Sequence, residues 1–275
     1  MKELVALSKE QIMEAAPAVY TTQPHPKVSD KYSFLPTYQI IEDMEKLGWS
    51  VSNAKMSKTS NKDQIKYGKH LIQFFNPDIA IKDEQGNVEA YPQILIINNH
   101  RGYGKLRFEL GVFRMVCENG LVVKEEGKDF GSFTLRHMGY SFQELKELVN
   151  TAVEALPNVV AKINQFTERI MTKEEQKSFA TRALEIRFGE ETVSRVTDAQ
   201  IQEMLNPIRR EDAGDDLYKV FNRVQEAVIR GGFSIAGQTK KGTKKVRRIS
   251  NMLKDLDVNG QLWVLAEEFA EPAMA

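Results

Sequence analysis

The sequence predicts an α+β protein: an antiparallel β-meander with packed helices, followed by a mainly helical C-terminal half. Three observations carry this. Apolar residues alternate with a period of two in short runs such as LRFELGV at 106–112, beside a buried-strand run, QILIINN, at 93–99. Turn chemistry separates the runs, DEQGN at 83–87 and HRGYG at 100–104. After a last strand-like run, SFTLRHMG at 132–139, the apolar period becomes helical and stays so.

In chain order, the first stretch, MKELVALSKEQIMEAA, is a short amphipathic pattern with acidic residues and does not read as a signal peptide. Residues 17–35 are proline-rich and unperiodic, and complete an expected extended arm over 1–35. Thr37 reads as the cap of a helix carrying Tyr38, Ile41, Met44 and Leu47, which Gly48 ends. From Trp49 to Val112 the chain reads as strands, with His70, Ile72 and Phe74 on one face and Leu71 and Phe75 on the other. Near Val112 the period changes to about 3.6, so a short helix is expected at 113–119, covering the sheet. Cys117 within it reads as a small core hydrophobe, and Arg114 as a contact to a subunit or to nucleic acid. The α+β core is thus 36–140.

The helical region spans 141–235. Phe142, Leu145, Leu148, Val149, Ala152, Leu156, Val160, Ile163, Phe166 and Ile170 mark one apolar face, kinked or broken at Pro157. Thr172 and Glu175 form a capping-box pattern. Leu217, Val220, Phe221, Val224 and Val228 mark another helix, stopped by Gly231 and Gly232. On that helix Asn222, Gln225 and Glu226 read first as a solvated face. The alternative is a polar network with Arg209 and Arg210 that docks the helix onto the α+β half. Residues 236–275 hold a basic segment and a final helix.

Composition narrows the function. Charge is balanced, 38 basic residues against 38 acidic. That argues against a globally electropositive DNA coat and leaves room for a local basic groove. One cysteine excludes an intramolecular disulfide framework. No apolar run reaches the ~20 residues of a membrane span, so a cytoplasmic protein is expected. Phosphate-binding loops, dinucleotide fingerprints and nucleophile elbows are absent. His70, His100 and His137 match no metal-ligand spacing and read as strand and turn histidines. Cys117 lacks the electropositive, part-exposed surroundings of a reactive thiolate. In EDAGDD, 211–216, Asp215 and Asp216 more simply favour the positive end of the next helix than bind a divalent ion. No catalytic residue, metal or cofactor is therefore expected.

Two basic groups remain. The run QTKKGTKKVRRIS places Lys240, Lys241, Lys244, Lys245, Arg247 and Arg248 together without an interleaved carboxylate, on a flexible lead into a helix. Arg101, Lys105 and Arg107 sit at a hairpin tip with Tyr103, an arrangement suited to a single strand whose bases stack on a ring while phosphates meet cations.

Several segments carry a family resemblance: VSDKYSFLPTYQIIEDMEKLGW, VFRMVCENGLVV followed by FTLRHMG, PIRREDAGDDLYKVFNRVQEAVIRGG, and DVNGQLWVLAEEFA. They resemble the phage- and plasmid-borne proteins grouped as domain of unknown function nine-three-two, which implies a mobile-element gene and no agreed activity. The helix–meander–helix order is also similar to the core of single-strand annealing proteins. That implies a basic hairpin along a DNA groove and assembly into rings. The expectation is a non-enzymatic protein that binds and anneals single-stranded DNA in recombination or replication, as a homo-oligomer. The alternative is a protein-binding factor that reprograms a host system without touching nucleic acid. A third is a metal-dependent enzyme built on Asp215, Asp216 and Glu226.

Overall fold

In the computed structural model, helices and strands alternate in the first part of the chain and helices dominate the rest. Residues 4–56, 59–82, 86, 88–102, 106–114, 119–122, 133–135, 140–236 and 243–271 are described. The chain divides into two compact units, Met1–Leu156 and Pro157–Ala275. The division falls inside one helix, at its proline.

The first unit begins with α1 (Lys9–Ala15), whose Ser8 and Gln11 form a capping box. A 3₁₀ turn, Pro17–Tyr20, follows, and Ala16, Ala18 and Val19 are fully buried. Residues 17–20 therefore depart from the extended run expected over 17–35, whereas 21–35 form neither helix nor strand. Small side chains and a proline at the first position of the 3₁₀ turn let this segment fold tightly against its neighbours. Next come α2 (Thr37–Lys46), β1 (Ser50–Met56), α3 (Lys62–Tyr67) and β2 (His70–Phe75). Then follow β3 (Ile81–Lys82), β4 (Val88–Asn98), β5 (Leu106–Arg114), β6 (Asn119–Val122) and β7 (Phe133–Leu135).

The strands form one antiparallel sheet in the order β1-β2-β4-β5-β6, with β3 paired to β4 and β7 to β5. Register puts His70, Ile72 and Phe74 beside Asn98, Ile96 and Ile94, and the last two beside Phe108 and Leu110. Leu71, Gln73, Phe75, Gln93, Leu95, Ile97 and Glu109 lie on the opposite face and are buried too. Both faces are covered, which explains why β2 and β4 read as nearly continuous apolar runs.

Two expectations for this unit are corrected. The stretch between Trp49 and Val112 is not all strand, because α3 intervenes, capped by Asn61 and closed at Gly68. The helix expected at 113–119 is not formed. Phe113 and Arg114 continue β5, pairing with Gly120 and Asn119 of β6. Backbone pairing on both sides of β5 overrides the three-to-four spacing of the apolar residues, which was too short a pattern to specify a helix. Residues 115–118, including Cys117, lie outside the described residues.

α4 (Phe142–Glu168) is continuous through Pro157. Its inward residues include Leu145, Val149, Ala152, Leu156, Ile163 and Phe166, whereas Phe142 and Ile170 are exposed. The second unit continues with α5 (Lys173–Phe188), α6 (Glu190–Val193), α7 (Asp198–Leu205), a 3₁₀ turn at Arg210–Asp212, and α8 (Leu217–Arg230). It closes with β8 (Ser234–Ala236), β9 (Thr243–Lys245) and α9 (Met252–Ala270). The capping box of Thr172 and Glu175 forms as its spacing predicts.

α8 is the centre of this unit. All its residues except Lys219 and Arg230 are buried. Phe221 meets Trp263 edge-on and lies beside Phe179, which in turn meets Phe269 edge-on. Asn222, Gln225 and Glu226 are buried, so they are not a solvated face. Asn222 donates to the Tyr218 carbonyl, Gln225 donates to Asn259 Oδ1 at 2.7 Å, and Glu226 pairs with Arg209 and Arg230. The partners named here all belong to the second unit. Arg210 is exposed.

Candidate nucleic-acid interface

From Thr243 on, the basic segment is paired as the second strand of a β-ribbon where its composition suggests a flexible lead, and it does run on into a helix, α9. Ser234, Ile235 and Ala236 pair with Lys245, Lys244 and Thr243. The pairing runs on beyond the strands. Val246 N–H donates to the Phe233 carbonyl at 2.8 Å, Gly232 N–H to Val246 O at 3.0 Å, and Ile249 N–H to Ile229 O at 2.9 Å. From α5, the Arg187 guanidinium donates to the carbonyls of Val228 and Arg247, tying the end of α8 to the segment.

Gly231 makes this close approach possible. Its φ of +74° lies in the left-handed region, and a Cβ there would sit 2.3 Å from the Val246 carbonyl oxygen. Side chains along the segment sort by contact. Val246 and Ile249 are buried, while Lys245, Arg247 and Arg248 are exposed. Among the described residues no carboxylate pairs with these three cations. The segment is thus held by backbone and two apolar anchors and presents its charge outward. Lys240, Lys241 and the side chain of Lys244 lie outside the described residues.

The second predicted group lies in the N-terminal unit, on the turn between β4 and β5. Arg101 is half-buried, and its N–H donates to Asn99 Oδ1 at 3.1 Å. Gly102 has φ +76° and packs on Val28. Arg107 donates to Glu109 at 2.6 Å, and Glu109 is only 1% exposed. A buried carboxylate therefore already offsets the Arg107 charge. Tyr103 and Lys105 lie outside the described residues. The two basic groups fall in different units.

Under the turn lies a polar cluster that no sequence spacing announced. Thr37 is the first residue of α2, not its cap, and its hydroxyl points inward. Thr37 Oγ1 lies 2.7 Å from His70 Nε2, 3.4 Å from His100 Nε2 and 2.9 Å from Asn98 Nδ2. His70 Nδ1 lies 2.9 Å from the Gly68 carbonyl, so this nitrogen carries the proton and Nε2 accepts from Thr37. Burial pushes the His70 imidazole down to about 4, opposed in part by the Gly68 hydrogen bond. The His70 and His100 rings lie 5.1 Å apart. His100 N–H donates to Tyr67 O at 3.0 Å, and His25 N–H donates to His100 O at 2.9 Å. The cluster locks α2, α3 and the 99–102 turn together. The signal that could have found it is the pairing of polar strand residues, His70 with Asn98, opposite a threonine at a helix start. His137 lies outside the described residues.

The acidic stretch is engaged locally. Asp216 caps α8 by accepting from Lys219 N–H at 2.9 Å. Asp215 accepts from Lys173 and Gln176 at 2.6 Å and 2.8 Å, and these bonds hold its carboxyl below the usual range. Arg223 donates to the carbonyls of Asp212 and Gly214, bracing the loop from beneath. Among the described residues no three histidine, cysteine or acidic side chains gather as a metal site, and no helix is long and apolar enough to cross a membrane.

Comparison with known proteins finds relatives in Escherichia coli. The chain is 27% identical over 261 residues to the UPF0380 protein YafZ of Escherichia coli (strain K12), covering 95% of this chain and 90% of the relative. The UPF0380 protein YfjQ of the same strain matches at 27% over the same length. No solved structure matches. Residues 24–255, which include the polar cluster, the turn and the ribbon, match one family model. The chain belongs to the family described as Domain of unknown function (DUF932).

Proposed function

We propose that the protein binds single-stranded DNA and promotes its annealing, acting as a homo-oligomer in the recombination or replication of a mobile element. One observation supports this most: Lys245, Arg247 and Arg248 are exposed, without carboxylate partners among the described residues, on a ribbon fixed by its backbone. Cations held this way neutralise phosphates and release counterions, giving affinity without sequence preference. Tyr103 supplies a ring for base stacking in this reading.

Fluorescence anisotropy with a labelled oligonucleotide across a salt series tests it. Single strands give a slope of about −0.7 in log K against log salt per neutralised phosphate, so replacing all three ribbon cations by Ala flattens the slope by about 2. A strand-annealing assay then separates binding from annealing. Folded wild-type protein that binds no strand at low salt sinks this reading and favours a protein partner. For that reading, Ile208, 78% exposed next to Arg209, is the most exposed large apolar side chain among the described residues.

A further inference from the structure

We propose that the N-terminal unit carries a second phosphate-binding surface, built from Lys27, Lys31, Lys62, Lys66 and Lys69, which contacts the backbone of single-stranded DNA independently of the C-terminal ribbon. The inference rests on the nucleic-acid reading above.

Eleven of the 38 lysines and arginines of this neutral protein are engaged by carboxylates among the described residues. Lys46, Arg107, Lys162, Arg169, Lys173, Lys177, Arg182, Arg195, Arg209, Lys219 and Arg230 each pair with a carboxylate. The five lysines do not, among the described residues, and all five are exposed. They come from two stretches distant in sequence, 27–31 and 62–69, which the fold brings together. Thr21 Oγ1 donates to the Lys66 carbonyl. His25 packs edge-on against Tyr67 at 5.1 Å, and its Nε2 lies 3.4 Å from Asp63 Oδ2. Lys27 N–H donates to His25 Nδ1 at 3.1 Å. Both stretches also attach to His100, beside the turn that carries Arg101.

Only two carboxylates occur within residues 21–32 and 61–69, Asp30 and Asp63, and Asp63 already faces His25. A local excess of positive charge therefore lies over a rigid support. Lysines are point charges on flexible stems, suited to an irregular phosphate backbone and indifferent to base identity. Lys66 lies over the Tyr67 ring, but none of the five pairs with a carboxylate among the described residues, so no ion pair seen there must break before a phosphate binds.

The test uses the full chain and a labelled oligothymidine. Lys27, Lys31, Lys62, Lys66 and Lys69 are replaced together by Gln, and in a parallel variant by Arg. The Gln variant should bind at least tenfold more weakly at low salt and flatten the salt slope by about 3.5, while the Arg variant binds like wild type. Unchanged circular dichroism and melting establish that the fold is intact. A folded Gln variant that binds like wild type overturns the inference, and the proposed function still stands if loss of Lys245, Arg247 and Arg248 weakens binding. Wild-type protein that binds no strand overturns both. Polyglutamate competing as well, charge for charge, as unlabelled oligothymidine for the lysine-dependent part would also overturn it, by showing a general anion surface.

Discussion

The Thr37 hydroxyl lies 2.7 Å from His70 Nε2, and the other nitrogen of the same ring lies 2.9 Å from the Gly68 carbonyl. Both hydrogen bonds fit the neutral imidazole. The proton that would charge the ring must be placed against a hydroxyl that also receives Asn98.

Stability should therefore depend on pH through His70. Its folded value, about 4, lies below the ordinary 6.5, so the unfolded chain binds the proton more readily between these values. Stability is full above pH 6.5 and is lost as pH falls through 6.5 toward 4, by an amount on the order of 3 kcal/mol. Urea unfolding at a series of pH values measures this. A His70→Gln variant whose stability falls as steeply over that window would place the loss elsewhere.

Thr37→Val keeps the shape of the side chain and removes the hydroxyl. Asn98 and His70 then lose a shared partner in a site where both are almost fully buried. The expected cost is about 1–3 kcal/mol per group left unsatisfied, seen as a lower urea midpoint at unchanged m-value. Thr37→Ser should lose much less. Equal losses in the two variants would point to packing as the cause.

Glu226→Ala should lower the melting temperature, because it removes the buried carboxylate that Arg209 and Arg230 share. Both arginines are partly exposed, so a loss of about 2–3 kcal/mol is expected, below that of a fully buried pair. Arg210→Ala, at an exposed position, serves as the control and should melt like wild type.

Gly231 and Gly232 both have positive φ, +74° and +104°, yet they should respond differently to substitution. A Cβ on Gly231 meets the Val246 carbonyl, whereas one on Gly232 meets nothing within 4 Å. Gly231→Ala should destabilise by more than the ~1–3 kcal/mol of backbone strain alone and, on the proposed nucleic-acid reading, weaken single-strand binding with every cation still present. Gly232→Ala should show only the strain. Anisotropy and thermal melting on the two variants decide it.

Much of the fold was legible because its signals are local. The apolar run at 93–99 and the alternation at 106–112 specify β4 and β5, Thr172 with Glu175 specifies the start of α5, and the stripe from Leu217 to Val228 specifies α8. What stayed hidden depends on distant partners. Phe113 and Arg114 are strand because β4 and β6 flank them. Thr37 turns inward because His70 and Asn98 await it, and the polar residues of α8 are buried because Arg209, Asn259 and backbone carbonyls satisfy them. The basic run was visible as charge, but its ribbon was not, since β8 and β9 are only three residues each.

The enclosure of α8 has a kinetic consequence. A helix in contact with α5, α7 and α9 and buried on every side offers no partial opening that frees its amides while its neighbours stay in place. Hydrogen exchange along Phe221–Val228 then follows the opening of the whole C-terminal unit, and its slowest amides report that unit's global stability. The ribbon's amides, held by a few pairs at the surface, exchange through smaller and faster fluctuations. The surface that presents the cations can thus breathe while the helix from which it emerges does not.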